Sequence, residues 1–480
     1  MGTEAVSARH LEAIWKPHVA VLPSPGLGHV TPLFELALRL VTHHGFRVSF
    51  LNITTEASAA QNQLLHSPRL PPDLHIVDLP PADVSTLVSP ETTVVARLSI
   101  IAQQSLLCLE ALLAELTPKP RALIIDLFCT QAFDACKRLS IPTFTFFTPS
   151  SHLLAFSLFL PRLDREVEGE FVDLPQPVEV PGCAPIRTQD LLDQVRNRKI
   201  DEYKWYLYHL SRLPMAAGIL LNTWVDLEPV TLTALREHSF YRQIPTPPVY
   251  PVGPIIKEAG AERVAWLDRQ PPESVLLVTL GSGGTLSGEQ VIELAWGLEL
   301  SQQRFIWVVR TPSDANACAT FFSAGSDADD PKSYLPEGFE ERIGERGLVV
   351  PSWCPQVEIL GHASTGGFLS HCGWNSTLES VANGVPMIAW PLYAEQRMNA
   401  TMLVEQVGMA VRAGESDGGV IGRKEIEKAV RVMLEGEEGK AVRRKAKELK
   451  QRATETLRNG GSSYESLVSL ADLWKASCAE

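Results

Sequence analysis

Cysteine is thinly spread in this 480-residue chain: Cys108, Cys129, Cys136, Cys183, Cys318, Cys354, Cys372 and Cys478 include no C-x-x-C pair. Such scatter excludes a disulfide framework and predicts reduced thiols in a reducing compartment. Long apolar runs are missing too. No stretch reaches the ~18 consecutive apolar residues of a membrane span, so none is expected. The segment Met1–Lys16 is polar and lacks the apolar core of a secretory signal. Val6 stands where myristoylation of Gly2 needs Ser or Thr, and Cys478 is one place off for prenylation. Positive charge is in deficit: 43 Lys and Arg face 56 Asp and Glu, a net −13, with no basic cluster ahead of the C-terminal helical region. Nucleic acid is therefore excluded as a partner. With 45% apolar and 7% aromatic residues, a soluble cytoplasmic globular protein is expected.

At this length one core does not suffice, and two domains are expected. Short apolar runs at His18–Pro23, Arg47–Asn52, Leu74–Leu79, Ala122–Leu127, Thr143–Phe147 and Gly218–Asn222 alternate with helix-length segments such as Pro32–His43, Thr92–Leu116 and Gln131–Leu139. That alternation predicts a doubly wound parallel α/β sheet. Proline-rich Pro245–Lys257 breaks the rhythm and is expected to be an irregular linker between domains at 1–244 and 258–461. Strand-like runs then restart at Val275–Leu280, Phe305–Val309, Leu348–Pro351, Gly367–Ser370, Met387–Trp390 and Ala410–Arg412. Thr311–Ser333 is small, polar and acidic and reads as a surface loop. Lys424–Arg458 reads as charged helix ended by Gly460-Gly461, and Tyr464–Lys475 as a last amphipathic helix.

Residues Trp353 to Gln396 read WCPQVEILGHASTGGFLSHCGWNSTLESVANGVPMIAWPLYAEQ. Trp353 follows an apolar run ending at Pro351, and a Trp at a strand's carboxyl end can offer its face to a base. Such stacking is worth roughly 1–3 kcal/mol. The run Gly366–Ser370 leads into His371-Cys372-Gly373-Trp374-Asn375-Ser376 and an amphipathic segment. Strand, glycine turn and helix start in that order form an anion site, with backbone N–H groups and the helix dipole facing a diphosphate. Glu379 lies about one turn past Asn375, where a carboxylate can accept paired ribose hydroxyls. Glu395 and Gln396 follow the run Val385–Leu392 and can bond several sugar hydroxyls.

In the first half, Pro23-Ser24-Pro25-Gly26-Leu27-Gly28-His29 follows the first strand. It fails as a dinucleotide fingerprint, having no third glycine and no acid closing the next strand, so nicotinamide chemistry is disfavoured. Its glycines instead turn the backbone and set His29 at the sheet's carboxyl edge. Asp126 ends Leu123-Ile124-Ile125-Asp126, where a lone acid behind three aliphatics needs a partner or a cleft. His29 and Asp126 can form a general base and its orienter. Gly281-Ser282-Gly283-Gly284-Thr285 is a turn of the phosphate-cradling type. Asp327-Ala328-Asp329 imitates a metal-binding D-x-D but lies in the polar loop, so no metal is expected.

The 44-position box, with its W-x-P-Q, H-C-G-W-N-S, Glu379 and closing E-Q, resembles the signature of the plant family-1 UDP-glycosyltransferases. The resemblance implies a GT-B fold, two doubly wound Rossmann-like domains facing across a cleft, with the tail 462–480 packed back on the first. It implies that Trp353 stacks on uracil, Cys354 pairs with it through its backbone, and Gln356 and Glu379 bind ribose. His371, Asn375 and Ser376 would take the phosphates, and Trp374, Glu395 and Gln396 would read the sugar. Gly28, Gly373, Tyr393, Ser282 and Thr285 complete the implied donor contacts. Many relatives carry Asp where this chain has Glu395, a difference of one methylene in reach. Gln396, where galactose users tend to carry His, implies UDP-glucose as co-substrate without a further cofactor.

The matching His29 and Asp126 imply inverting transfer to an acceptor hydroxyl. Runs such as IIDLFCTQAFDAC and IAWPLYAEQRMNA look most like the hydroquinone glucosyltransferase branch. That branch implies small phenols (hydroquinone, monolignols, phenylpropanoids) against a wall of Leu127, Phe128 and Phe147. Flavonoid acceptors and attack through carbon stay open, as does a sugar-nucleotide sensor, although a sensor needs neither His29 nor Asp126. A monomer is expected.

Overall fold

Apolar runs covered on both faces build two parallel sheets in the computed structural model, which describes residues 16–67, 70–260, 262–314, 317, 321–322, 330–414 and 419–476. The first sheet has β1 (His18–Leu22), β2 (Arg47–Ile53), β3 (Leu74–Leu79), β4 (Leu123–Asp126), β5 (Thr143–Phe147), β6 (Gly218–Leu221) and β7 (Val249–Pro251). Their order across it is β3-β2-β1-β4-β5-β6-β7. The second has β8 (Val275–Thr279), β9 (Arg304–Val309), β10 (Gly347–Pro351), β11 (Thr365–Ser370), β12 (Met387–Ala389) and β13 (Ala410–Arg412), ordered β10-β9-β8-β11-β12-β13. Every pairing is parallel.

The burial explains the composition of the strands. In β1, Val19 and Val21 pack on Leu33 and Phe34 of the helix Leu27–His44, while Ala20 and Leu22 pack on Ile101 and Leu109 from the opposite layer. A strand between two helical layers has no wet face, so it reads as a continuous apolar run. Each such Val or Leu contributes about 1.5–3 kcal/mol by leaving water. The strand order reverses at the first strand of each sheet: β1 lies between β2 and β4, and β8 between β9 and β11. Crevices outside the carboxyl ends of strands at such points are where ligands sit in open α/β sheets.

Three local expectations are corrected. The expected linker is not irregular throughout, since Val249–Pro251 adds β7 to the edge of the first sheet, pairing only with β6. An edge strand tolerates proline because one side makes no ladder. The charged helix of 424–458 is two helices, Arg423–Glu435 and Glu437–Thr456, broken at Gly436, whose backbone is extended. The helical stretch from Val94 is interrupted by a 3₁₀ turn at Leu106–Cys108. Val94–Glu115 passes the length and hydropathy test for a membrane span, the one stretch to do so among the described residues. Its Val95, Leu98, Ile101 and Ala102 are nevertheless buried in the first sheet's cores, and its Arg97 pairs with Glu56.

The two halves exchange pieces. Trp224 and Leu227, which precede β7, are buried in the core of the second sheet. In return the last helix, Ser462–Ala476, lays Leu467, Leu470 and Trp474 into the core of the first. Trp474 meets Phe144 and Phe46 edge-on, at 5.3 and 6.1 Å between ring centroids. Arg121 adds a bond to the Lys475 carbonyl at 2.6 Å. Trp474→Ala should lower unfolding stability by about 3–5 kcal/mol, the usual effect of emptying a buried Trp site. A fall in the urea midpoint that leaves the slope unchanged would show it.

Candidate active site in the interdomain cleft

The helix Leu27–His44 begins directly after β1, and its first turn carries His29. Gly26 makes the turn possible. Its φ is +101, and a side chain there would collide with the Phe321 ring. His29 Nδ1 lies 2.8 Å from Asp126 Oδ2 at the end of β4, the strand beside β1. Asp126 is fully buried, and its Oδ1 accepts from Ser24 Oγ at 2.7 Å and from the Phe128 N–H at 3.0 Å. An ionised carboxylate only accepts, so the His29 proton sits on Nδ1 and Nε2 keeps its lone pair. Burial pulls the His29 pKa down, but the charge and hydrogen bond of Asp126, with Glu395 behind, outweigh it and set the value above the ordinary one. Asp126 shifts the other way. Burial opposes its ionisation, yet His29 and the bonds from Phe128 and Ser24 hold its carboxyl below the usual range.

Three cavities run end to end through the cleft and share walls. The first, about 210 Å³, includes Trp353, Cys354, Gln356 and Glu379. The second, about 190 Å³, shares Gly28, Gly281, Ser282, Asn375 and Ser376 with it. His371, Gly373, Trp374 and Gln396 join there. The third, about 330 Å³, shares His29, Phe321, Tyr393, Ala394 and Glu395 with the second. His29 thus stands where the second cavity opens into the third.

In the first cavity Trp353 is 57% exposed, its face available. Gln356 is a hub: its Oε1 accepts from Thr279 Oγ1 at 2.6 Å, and its amide donates to Ser376 Oγ at 3.1 Å and to Glu379. Burial lifts the Glu379 carboxyl to about 7 against that bond. The six described cysteines are free thiols, and burial pushes Cys354 and Cys372 up to about 12.

In the second cavity the helix Trp374–Asn383 starts at Gly373 with no side-chain cap, so its first N–H groups face the space. His371 is neutral here, burial first and Arg310 second having pushed it down to about 4. A Cβ on either Gly281 or Gly373 would strike its ring, which is the steric reason both are glycine. Gln396 Oε1 accepts from the N–H groups of Leu392 and Tyr393 at 2.9 and 3.0 Å, leaving the amide NH₂ to offer a ligand. Glu395 lies at the start of the same helix, its carboxyl above the ordinary range through burial.

Two expected contacts are corrected. Thr285 is buried with its N–H on the Ala317 carbonyl and is absent from the walls of all three cavities. The chain doubles back at Gly284, packed against the Leu280 carbonyl, and carries Thr285 away. Phe147 is fully buried in the core and is not in the third cavity's wall, unlike Leu127 and Phe128. As the last residue of an internal strand it is covered on every side. The Asp327-Ala328-Asp329 motif lies outside the described residues. Sequence reading missed Lys257 and Arg310, which both line the first cavity. It also missed Leu98, Leu153, Glu202 and Tyr206 of the third, which come from helices far apart in the chain.

A family model described as UDP-glucoronosyl and UDP-glucosyl transferase matches residues 256–445. Anthocyanidin 3-O-glucosyltransferase 5 of Manihot esculenta is 46% identical over 468 residues, 96% of either chain. The chain belongs to the plant family-1 UDP-glycosyltransferases. The glycosyltransferase is also 46% identical over 469 residues to the hydroquinone glucosyltransferase of Rauvolfia serpentina, covering 96% of this chain and 98% of that one. Phytolacca americana UGT2, solved with UDP-2fluoro-glucose and pterostilbene, superposes with a TM-score of 0.86 at 42% identity, over 96% of this chain and 99% of that one. The fold is GT-B, as that of its structural neighbours.

A His29 that takes a proton in the reaction would have to be neutral for turnover. Its raised pKa means that kcat/KM should fall as pH drops through a value above the ordinary ~6.5 of histidine. Asp126→Asn removes the charge that raises it, so burial then dominates and the inflection should move to lower pH while the plateau rate falls. A pH–rate profile of both forms checks this; an inflection that stayed in place would rule out the coupling.

Proposed function

We propose that this glycosyltransferase moves glucose from UDP-glucose to the hydroxyl of a small phenol, of hydroquinone, monolignol or phenylpropanoid type, with inversion to a β-glucoside. One observation carries the reading: His29 Nε2, freed by the Asp126 bond, faces the junction between a polar cavity lined by the box and a larger cavity lined by Leu127, Phe128 and Leu153. Uracil would lie on Trp353, ribose on Gln356 and Glu379, and the diphosphate on the open helix start with His371, Asn375 and Ser376. The sugar would meet Trp374, Glu395 and Gln396, and its anomeric carbon would then lie beside His29.

The acceptor O–H passes its proton to His29 Nε2 as the oxygen attacks the anomeric carbon, and the bond to the UDP oxygen breaks on the opposite face. Asp126 stabilises the imidazolium that forms. The departing diphosphate's charge falls on backbone N–H groups and the helix dipole, so the proposed reaction uses no metal. Glucose over its C4 epimer rests on Gln396, whose oriented NH₂ can donate to a hydroxyl of one configuration. The anthocyanidin enzyme among the relatives keeps flavonoids as the second reading for the acceptor.

Mass spectrometry of products from a panel of phenols and flavonoids, run with UDP-glucose or UDP-galactose and with excess chelator, tests all three parts. Glucosides of small phenols, chelator-resistant and weak with UDP-galactose, are expected. Loss of turnover on chelation, restored by a divalent ion, would contradict the metal-free mechanism. His29→Ala should reduce turnover roughly 10²–10⁴-fold, the usual contribution of a general base, with UDP affinity nearly unchanged. A nitrophenol already ionised at neutral pH should recover much of that loss, since it has no proton to give.

A further inference from the structure

The polar segment between β9 and β10 belongs to the second domain where it starts. The Ser313 N–H donates to the Leu286 carbonyl at 2.8 Å, and Asp314 accepts from the Gly288 N–H at 3.0 Å. The Ala317 carbonyl accepts from the Thr285 N–H at 2.9 Å. A few residues on, Phe321 and Phe322 pack instead against the cores of the first domain. Their rings meet edge-on at 5.0 Å between centroids, and each does something different. Phe321 lies so close to Gly26, in the turn before His29, that a Cβ there would come within 2.6 Å of its ring. It lines both the second and the third cavity. Phe322 lies under the Arg97 guanidinium, 4.9 Å from its ring centroid. Arg97 is held in turn by a fork: Nε donates to Glu56 Oε2 at 2.7 Å and Nη2 to Glu56 Oε1 at 2.9 Å. Glu56 follows β2 with a φ of +56, a conformation that a non-glycine residue holds only under constraint.

A guanidinium can bond a carboxylate through its edge while it offers its face to an aromatic ring. Arg97 therefore ties a ring of the second domain to a carboxylate of the first, and Phe321, next in the chain, is seated with it. We infer that Arg97 is a positioning residue for the transfer reaction. Braced by Glu56, it pins Phe322 and so sets Phe321 over the junction of the second and third cavities, where the ring keeps water from the sugar's anomeric carbon. The inference rests on the donor role proposed for the second cavity and adds what decides which nucleophile reaches the sugar. Water is the competing nucleophile: its oxygen attacks the anomeric carbon, the bond to the UDP oxygen breaks and a water proton passes to His29, giving glucose and UDP. His29 serves water and an acceptor hydroxyl alike, so discrimination falls to the walls that exclude solvent.

Two rates measured on each variant test this: glucose release from UDP-glucose without acceptor, and glucosylation of hydroquinone. Phe321→Ala should raise the ratio of hydrolysis to transfer most. Arg97→Met, which keeps the stem and loses the cation, should raise it roughly 2–10-fold, the worth of one cation–π contact. Phe322→Leu should match it, and the double variant should be little worse than either, since the two side chains act as one unit. Arg97→Lys, still a cation, should fall nearer wild type. Calorimetric UDP affinity should hold steady in Arg97→Met; a parallel fall would place the fault in the donor site and overturn the inference. A ratio raised by Phe321→Ala but not by Arg97→Met would overturn the brace, and one unmoved even by Phe321→Ala would overturn the screening of water. Wild-type enzyme that moved no glucose from UDP-glucose to hydroquinone would overturn the function proposed above, and this inference with it.

Discussion

Two neighbouring side chains hold the cleft together. Trp374 Nε1 donates to the Asn222 carbonyl and Asn375 Nδ2 to the Gly28 carbonyl, each at 2.8 Å and each across the domains. Gly28 precedes His29, and Asn375 opens the helix whose N–H groups face the second cavity. His29 and the open start of that helix are thereby fixed to one another through a single bond and a few covalent links. Transfer chemistry depends on reacting atoms meeting within a few tenths of an ångström, and small displacements are amplified into large rate losses. Other bridges across the domains, Arg452 to Asp226 and Arg187 to Glu405, are exposed on the rim. Such surface pairs are worth little each and tune the closure rather than define it.

The first domain also reaches into the loop that carries Glu395 and Gln396. Asp193 accepts from the Ala394 N–H at 2.9 Å, donates its own N–H to the Ala394 carbonyl at 3.2 Å, and pairs with Arg397. Ala394 has a φ of +54, a conformation a non-glycine residue holds only under external constraint. The clasp supplies that constraint and leaves Glu395 and Gln396 at a defined angle to the cleft. The two domains therefore share one seam, built from segments that follow β1, β6, β11 and β12 and from the turn at Asp193.

What could be read in the sequence follows from how locally each feature is encoded. Buried parallel strands are apolar on both faces, so the internal β5 was legible to the residue, and β3 and β13 were too although both are edge strands that expose Asp78 and Arg412. That the box residues line adjoining cavities was legible because Trp353 through Gln396 is one contiguous span whose helix starts and strand ends set its geometry. His29 and Asp126 were legible as acids and bases at strand ends, though their 2.8 Å bond needed the sheet order that places β1 beside β4. The acceptor wall was not legible. It is assembled from helices at 94–105, 151–166 and 201–212, and no local spacing distinguishes Tyr206, which lines the cavity, from Tyr203, which supports Arg198 by hydrogen bonding to Asp164. Phe147 misled for the same reason, because which way an internal strand's side chain points is decided by what packs over it.

Cys354 and Cys372 sit within the donor box, and burial keeps both protonated at neutral pH. Electrophiles alkylate thiolates, not thiols, so sulfur in this site is present without nucleophilicity and serves as small apolar filling. With the phenolic acceptors proposed, the enzyme would meet quinones, which arrest proteins by capturing exposed thiolates. Here Cys372 is fully buried, Cys354 shows only a small part of itself on the wall of the first cavity, and both are held as unreactive thiols. Their reactivity toward a thiol reagent would accordingly report two different events: Cys354, on the wall of the first cavity, would sense occupancy of the cleft, and fully buried Cys372 the opening of the second domain.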